Sequence, residues 1–141
     1  MALTSEATTV WQGDLTSGVG LTSLDSSKTG EFPVTWTARA EGIAGMTNPE
    51  ELLAASHASC FSMQFSSLLA KAGHVPESIQ VTAAVTFQPG EGVTGSHLLV
   101  SALVGGITEE EFERLADEAK RTCPISRALA GIPITMEASL A

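Results

Sequence analysis

Positive charge is what this sequence has least of. Seven Lys and Arg stand against sixteen Asp and Glu, a net charge of −9. A nucleic-acid partner needs a basic patch to neutralise phosphates, so the balance argues against that class of function. The acidity serves solubility, and so few cations make each arginine worth asking about. Long apolar runs are missing too, and none reaches the ~18 residues of a membrane span. The opening MALTSEATTVW lacks the basic-then-apolar layout of a signal peptide. These absences lead to the expectation of a soluble cytoplasmic protein with no membrane partner. Cysteine is confined to Cys60 and Cys123, which form no CxxC. The histidines at 57, 74 and 97 are scattered and make no zinc set. Without repeats, low-complexity segments or linkers, the 141 residues read as one domain, 1–141, long enough to bury a core.

What is there is organised around Asn48–Gly73, NPEELLAASHASCFSMQFSSLLAKAG. Asn48 suits a helix N-cap and Pro49 the first helical position. Glu51 stands three residues after the cap, as in a capping box. Gly73 suits the left-handed residue that ends a helix. Apolar residues between Leu52 and Leu69 run nearly all round, as in a buried helix. Its middle turns are small, so another backbone can come close.

Upstream, 7–12 and 18–24 read as short strands joined by a Gly-Asp…Ser-Gly turn, and 25–31 as a polar loop. Alternation over 32–39 predicts a half-buried strand with Pro33 near an edge and Arg39 on the polar face. Downstream, 79–87 and 97–104 predict a hairpin around Pro89–Gly95. Thr108 and Glu111 open a second helix as a capping box. Its stripe, Phe112, Leu115, Ala116 and Ala119, extends four residues on to Cys123. Pro124 restricts Cys123 to extended geometry. A short helix over 124–129 and a strand over 132–140 complete the chain. The order predicts an α+β domain, with a mainly antiparallel, curved sheet wrapped on helices.

Cys60 taken alone reads as a small buried hydrophobe, and so does Cys123. The pair reads differently. Two cysteines on apolar faces of one small core can approach each other. A pair able to close a disulfide, with one reactive thiolate, is the minimal equipment of a thiol peroxidase. Glu50 is left over if Glu51 serves the cap, but about 15 Å of ideal helix separates it from Cys60. Sharing a site requires a bend or a second subunit. Arg39 by itself reads as a solvated surface arginine. Arg121 and Arg127 flank Cys123, either as ordinary helix-end cations or as groups that lower its thiol pKa. His57, three residues before Cys60, is a candidate base or a satisfied core or interface histidine. Phe61, Met63 and Phe65 are core residues or the lining of an apolar pocket.

Four segments together carry a resemblance. Arg39-Ala40-Glu41-Gly42, Thr47-Asn48-Pro49-Glu50-Glu51-Leu52, the run from Ala54 to Met63, and Cys123-Pro124-Ile125-Ser126 closely resemble the OsmC/Ohr family. These are osmotically inducible and organic-hydroperoxide-resistance proteins. The likeness covers nearly the whole chain, and its RxEG segment is more similar to the OsmC branch. The resemblance implies an intertwined homodimer, with strands of both chains around two central helices and two sites at the subunit interface. Cys60 then matches the peroxidatic cysteine and Cys123 the resolving one. Arg39 matches the arginine that stabilises the thiolate, and Glu50 the glutamate that holds that arginine. No metal, haem or flavin is implied. The implied partners are an organic hydroperoxide and a dithiol reductant, a lipoyl group or lipoylated protein. The family pattern has an aromatic residue after the arginine. Ala40 departs from it and changes the pocket wall there. The expected function is thus a two-cysteine peroxidase reducing organic hydroperoxides to alcohols. Its rivals are a non-catalytic small-molecule-binding dimer and a redox sensor.

Overall fold

The computed structural model describes residues 1–141. They divide into two compact units, Met1–Glu50 and Glu51–Ala141. In the first, β1 (Ala7–Gln12), β2 (Val19–Leu24) and β3 (Glu31–Val34) form an antiparallel sheet in that order. Asp14 ties the first turn, its Oδ1 accepting from the backbone N–H and hydroxyl of Ser17 at 2.8 and 2.6 Å. Pro33 lies in edge strand β3, where a missing N–H costs least. Within this unit β1 is exposed along its whole length, including Val10 and Trp11.

The strand expected over 32–39 stops at Val34. Thr35 is the last extended residue, and its hydroxyl accepts from the Ala38 N–H at 3.1 Å. It caps a short helix, α1 (Trp36–Ala40), so Arg39 sits in a helical turn and not on a strand face. Over so few residues, alternation does not separate a period of two from one of 3.6. The threonine cap decides the matter.

The long helix α2 (Pro49–Lys71) begins with the last two residues of the first unit, and in the second it ends as its sequence requires. Gly73 takes φ +90°. The N–H groups of Gly73 and His74 reach back to the carbonyls of Ala70 and Leu69 at 3.0 and 2.9 Å. That is a Schellman end. Strands β4 (Ser78–Gln88) and β5 (Gly92–Leu103) make the hairpin, with a register shift between Thr86 and Phe87. The return strand starts at Gly92, earlier than the expected 97. Helices α3 (Glu109–Thr122) and α4 (Pro124–Ala128) carry the chain across to β6 (Ile134–Leu140), which pairs parallel to β5. The strands thus form two three-stranded sheets, not one. All pairings but that of β5 with β6 are antiparallel.

The core of this unit joins three elements. Phe61, Phe65 and Leu69 of α2 meet Leu98, Val100 and Ala102 of β5 and the apolar stripe of α3. Phe65 is at its centre, 5.6 Å from the Phe61 ring and 5.4 Å edge-on to Phe112. The all-round burial expected of α2 is not met within one chain. Its fully buried stripe is His57, Phe61, Phe65 and Leu69. On the other side Ala55, Ser59, Met63 and Ser67 are exposed, Met63 at 73%. One sheet and one amphipathic helix cover only one side of a helix. No helix is long and apolar enough to cross a membrane.

Candidate active site

The two cysteines meet in the second unit. Cys60 lies in the middle of α2, and Cys123 closes α3 and opens α4. Pro124 cannot continue a helix through Cys123, which adopts φ −56° and ψ 125°. The α3 stripe turns its side chain inward, so Cys123 is fully buried while Cys60 is partly buried. Their sulfurs are 3.1 Å apart and both are free thiols. A dithiol this close can close a disulfide with little rearrangement. Burial raises the Cys60 thiol above its usual range and the neighbouring Cys123 adds to this, while the Ile125 backbone N–H pulls the other way. The net direction is upward, so Cys60 needs a cation to become a thiolate at neutral pH.

The flanking arginines do not face this pair. Arg121 and Arg127 are both exposed, and Arg121 donates through Nε to Asp117 at 3.1 Å on the outside of α3. His57 resolves to the satisfied core histidine. Its ring is fully buried, with Nδ1 2.7 Å from the Ser96 hydroxyl and Nε2 2.8 Å from that of Ser126. Burial lowers its pKa, so the ring is neutral. It then donates through one nitrogen and accepts through the other. Phe61 and Phe65 are core, whereas Met63 faces outward.

In the first unit Arg39 and Glu50 form a bidentate pair. Nε donates to Oε1 and Nη2 to Oε2, each at 3.0 Å. Glu50 is buried and the arginine side chain is one-third exposed. A fork–fork pair fixes the guanidinium plane as well as its position. Holding a carboxylate in a buried place requires such a partner.

Four hydroxyl or amide side chains were given no role by the sequence, although Ser126 stood in the Cys123-Pro124-Ile125-Ser126 segment that carries the resemblance. Ser96, Ser126, Gln64 and Thr122 all hydrogen-bond across the contact between elements. The alternation of β5 did hold a clue. It puts Ser96 on the same inward face as Leu98 and Val100, and a polar residue there needs a buried partner.

The sequence matches a family model described as OsmC-like protein over residues 42–137. The chain belongs to the OsmC family. Curated relatives lie in both of its branches. The peroxiredoxin OsmC of Escherichia coli K12 is 39% identical over 84% of this chain and 85% of its own length. The organic hydroperoxide resistance protein OhrA of Bacillus subtilis is 36% identical over 72% of this chain and 73% of its own. In fold, an OsmC-like protein of Mycoplasma pneumoniae superposes with a TM-score of 0.74. It covers 100% of this chain and 99% of its own at 16% identity. The OsmC/Ohr arrangement of helices and two sheets is therefore the fold of this chain.

Proposed function

We propose that this protein is a thiol-dependent peroxidase that reduces organic hydroperoxides to alcohols. The observation that carries the reading is the pair of free thiols, Cys60 and Cys123, 3.1 Å apart in a packed core. The names of its relatives, peroxiredoxin and organic hydroperoxide resistance protein, point to the same peroxide-detoxifying chemistry. The Cys60 thiolate attacks the distal oxygen of ROOH. The O–O bond breaks, the alcohol leaves with a proton, and Cys60 becomes a sulfenic acid. The thiolate of Cys123 attacks that sulfur, water leaves, and the Cys60–Cys123 disulfide forms. An external dithiol, a lipoyl group or lipoylated protein, then reduces it by exchange. No bound cofactor enters the cycle.

Arg39 is the cation that Cys60 requires. Its charge favours the thiolate in this reading. Glu50 holds it by the bidentate pair. The functional form in this proposal is a cytoplasmic homodimer, its curved sheets wrapped around the two α2 helices. The exposed small-residue face of α2 supports a second copy. So does the open groove of about 580 Å³ beside it, lined by Ser62, Met63, Ser66, Pro76 and Ile79 among others.

Titration of the reduced protein with cumene hydroperoxide and with H2O2 tests the reading, followed by free-thiol count and intact mass. The expected result is rapid loss of both thiols per equivalent of organic peroxide, a loss of two mass units, recovery by dihydrolipoamide, and a much slower reaction with H2O2. Survival of both thiols in excess peroxide would overturn it.

A further inference from the structure

Three side-chain contacts run side by side where the Cys123 segment crosses α2. The middle one is Cys60 to Cys123, sulfur to sulfur at 3.1 Å. On one side His57 Nε2 meets the Ser126 hydroxyl at 2.8 Å. On the other the Gln64 amide donates to Thr122 Oγ1, also at 2.8 Å. The spacing is matched. His57 precedes Cys60 by three residues, and Ser126 follows Cys123 by three. Both outer contacts are themselves anchored. The far nitrogen of His57 meets Ser96 of β5, and Thr122 Oγ1 donates to the Glu118 carbonyl at 2.8 Å. The segment they hold is a break between two helices, where Pro124 interrupts the backbone hydrogen bonding. Backbone bonds tie Cys123 to Ala119 and Arg127 at 2.9 and 3.0 Å within its own segment, and the two outer side-chain contacts tie that segment to α2.

We propose that the His57–Ser126 and Gln64–Thr122 contacts are positioning residues that hold Cys123 against Cys60 and so set the rate of disulfide closure. The inference deepens the peroxidase reading, on which its role in turnover rests. The step they govern is balanced. Cys60 sulfenic acid and the Cys123 thiol give the disulfide and one water, with no further oxidant. A sulfenic acid not met promptly by Cys123 meets a second peroxide and becomes sulfinic acid. The two contacts therefore decide between turnover and over-oxidation. None of the four residues touches the reacting sulfurs in this role.

The test uses the full-length protein and two independent variants, Ser126→Ala and Gln64→Leu, with Ser126→Thr as the conservative control. His57 itself is left intact because its removal empties a buried site. The readout is the effective molarity of Cys60 and Cys123, from disulfide equilibrium with reduced and oxidised glutathione. It needs no peroxide. Ser126→Ala and Gln64→Leu are each expected to lower it about fivefold, the equilibrium factor of one ordinary hydrogen bond. Ser126→Thr is expected to restore it. With cumene hydroperoxide, the same two variants should accumulate sulfinic acid in rough proportion. An effective molarity unchanged in both variants, with the fold intact by circular dichroism, would overturn the proposal. A fall in effective molarity in a protein whose parent ignores cumene hydroperoxide would keep the positioning and remove the peroxidase.

Discussion

A single thiol illustrates how chemistry here depends on neighbours. Cys60 is raised by burial and by Cys123, so on its own it is a poor nucleophile at neutral pH. If Arg39 supplies the compensating charge, its geometry should matter as much as its sign. Arg39→Lys keeps a cation but loses the two-pronged grip on Glu50. Each unit of thiol pKa is tenfold in thiolate. Arg39→Lys is expected to slow Cys60 oxidation about tenfold and to move its pH profile upward. Arg39→Met should slow it further still. Stopped-flow oxidation across a pH series measures both, and a profile unmoved in Arg39→Met would remove arginine from the mechanism. Cys60→Ser should abolish turnover. Cys123→Ser should leave one turnover and an over-oxidised Cys60, visible by intact mass.

His57 makes a second residue-scale prediction, about stability. Its two nitrogens face hydroxyls of Ser96 and Ser126, and burial disfavours its protonated form. The unfolded chain takes up a proton near pH 6.5 and the folded one does not. Its contribution is thus fully present above about pH 6.5 and is lost as the pH falls below it. Urea midpoints at pH 7 and pH 5 should fall more for the parent than for His57→Gln. Equal losses would mean that His57 is not the titrating group.

Elements show what the sequence could and could not convey. The ends of α2 and α3 were legible because their chemistry is local. Gly73 closes α2 at a positive φ. The Thr108 hydroxyl accepts from the Glu111 N–H at 3.2 Å. The path from the α3 stripe to a buried Cys123 was legible for the same reason: helix periodicity needs only the chain itself. Two features were not. Residues 35–40 are too few to reveal their period, and β6 pairs parallel to β5, which only the crossover through α3 and α4 decides. The core gives a prediction at this scale. Phe65 joins α2 to α3 through its ring contacts with Phe61 and Phe112. Phe65→Ala should cost about 3–5 kcal/mol, since it removes transfer energy and leaves a cavity. Gly73→Ala should cost less, about 1–2 kcal/mol, for forcing a side chain into left-handed backbone. Chemical denaturation measures both. A larger loss for Gly73→Ala than for Phe65→Ala would contradict the core described here.

At the scale of the whole molecule, burial is incomplete. The apolar pattern of α2 called for neighbours all round, and one chain provides them on one side. Sequence reading and single-chain burial differ most plainly at Met63, expected in the core or a pocket lining and found exposed. The proposed homodimer resolves the difference and makes the last prediction. Within one chain, Met63 is 73% exposed, so Met63→Asp should leave the fold of the isolated chain unchanged. Across a dimer centred on the two α2 helices, the same change places two unpaired carboxylates in an apolar contact. Burying an unpaired charge costs several kcal/mol, enough to weaken association by a factor of a hundred or more at ~1.4 kcal/mol per decade. Sedimentation velocity should then show the parent as a dimer and Met63→Asp as a monomer with the same circular dichroism. If Arg39 or Glu50 acts across the interface, the monomer should also lose peroxidase activity while its two thiols still equilibrate with glutathione. A Met63→Asp protein that sediments as the parent does would place the partner, if there is one, on another face.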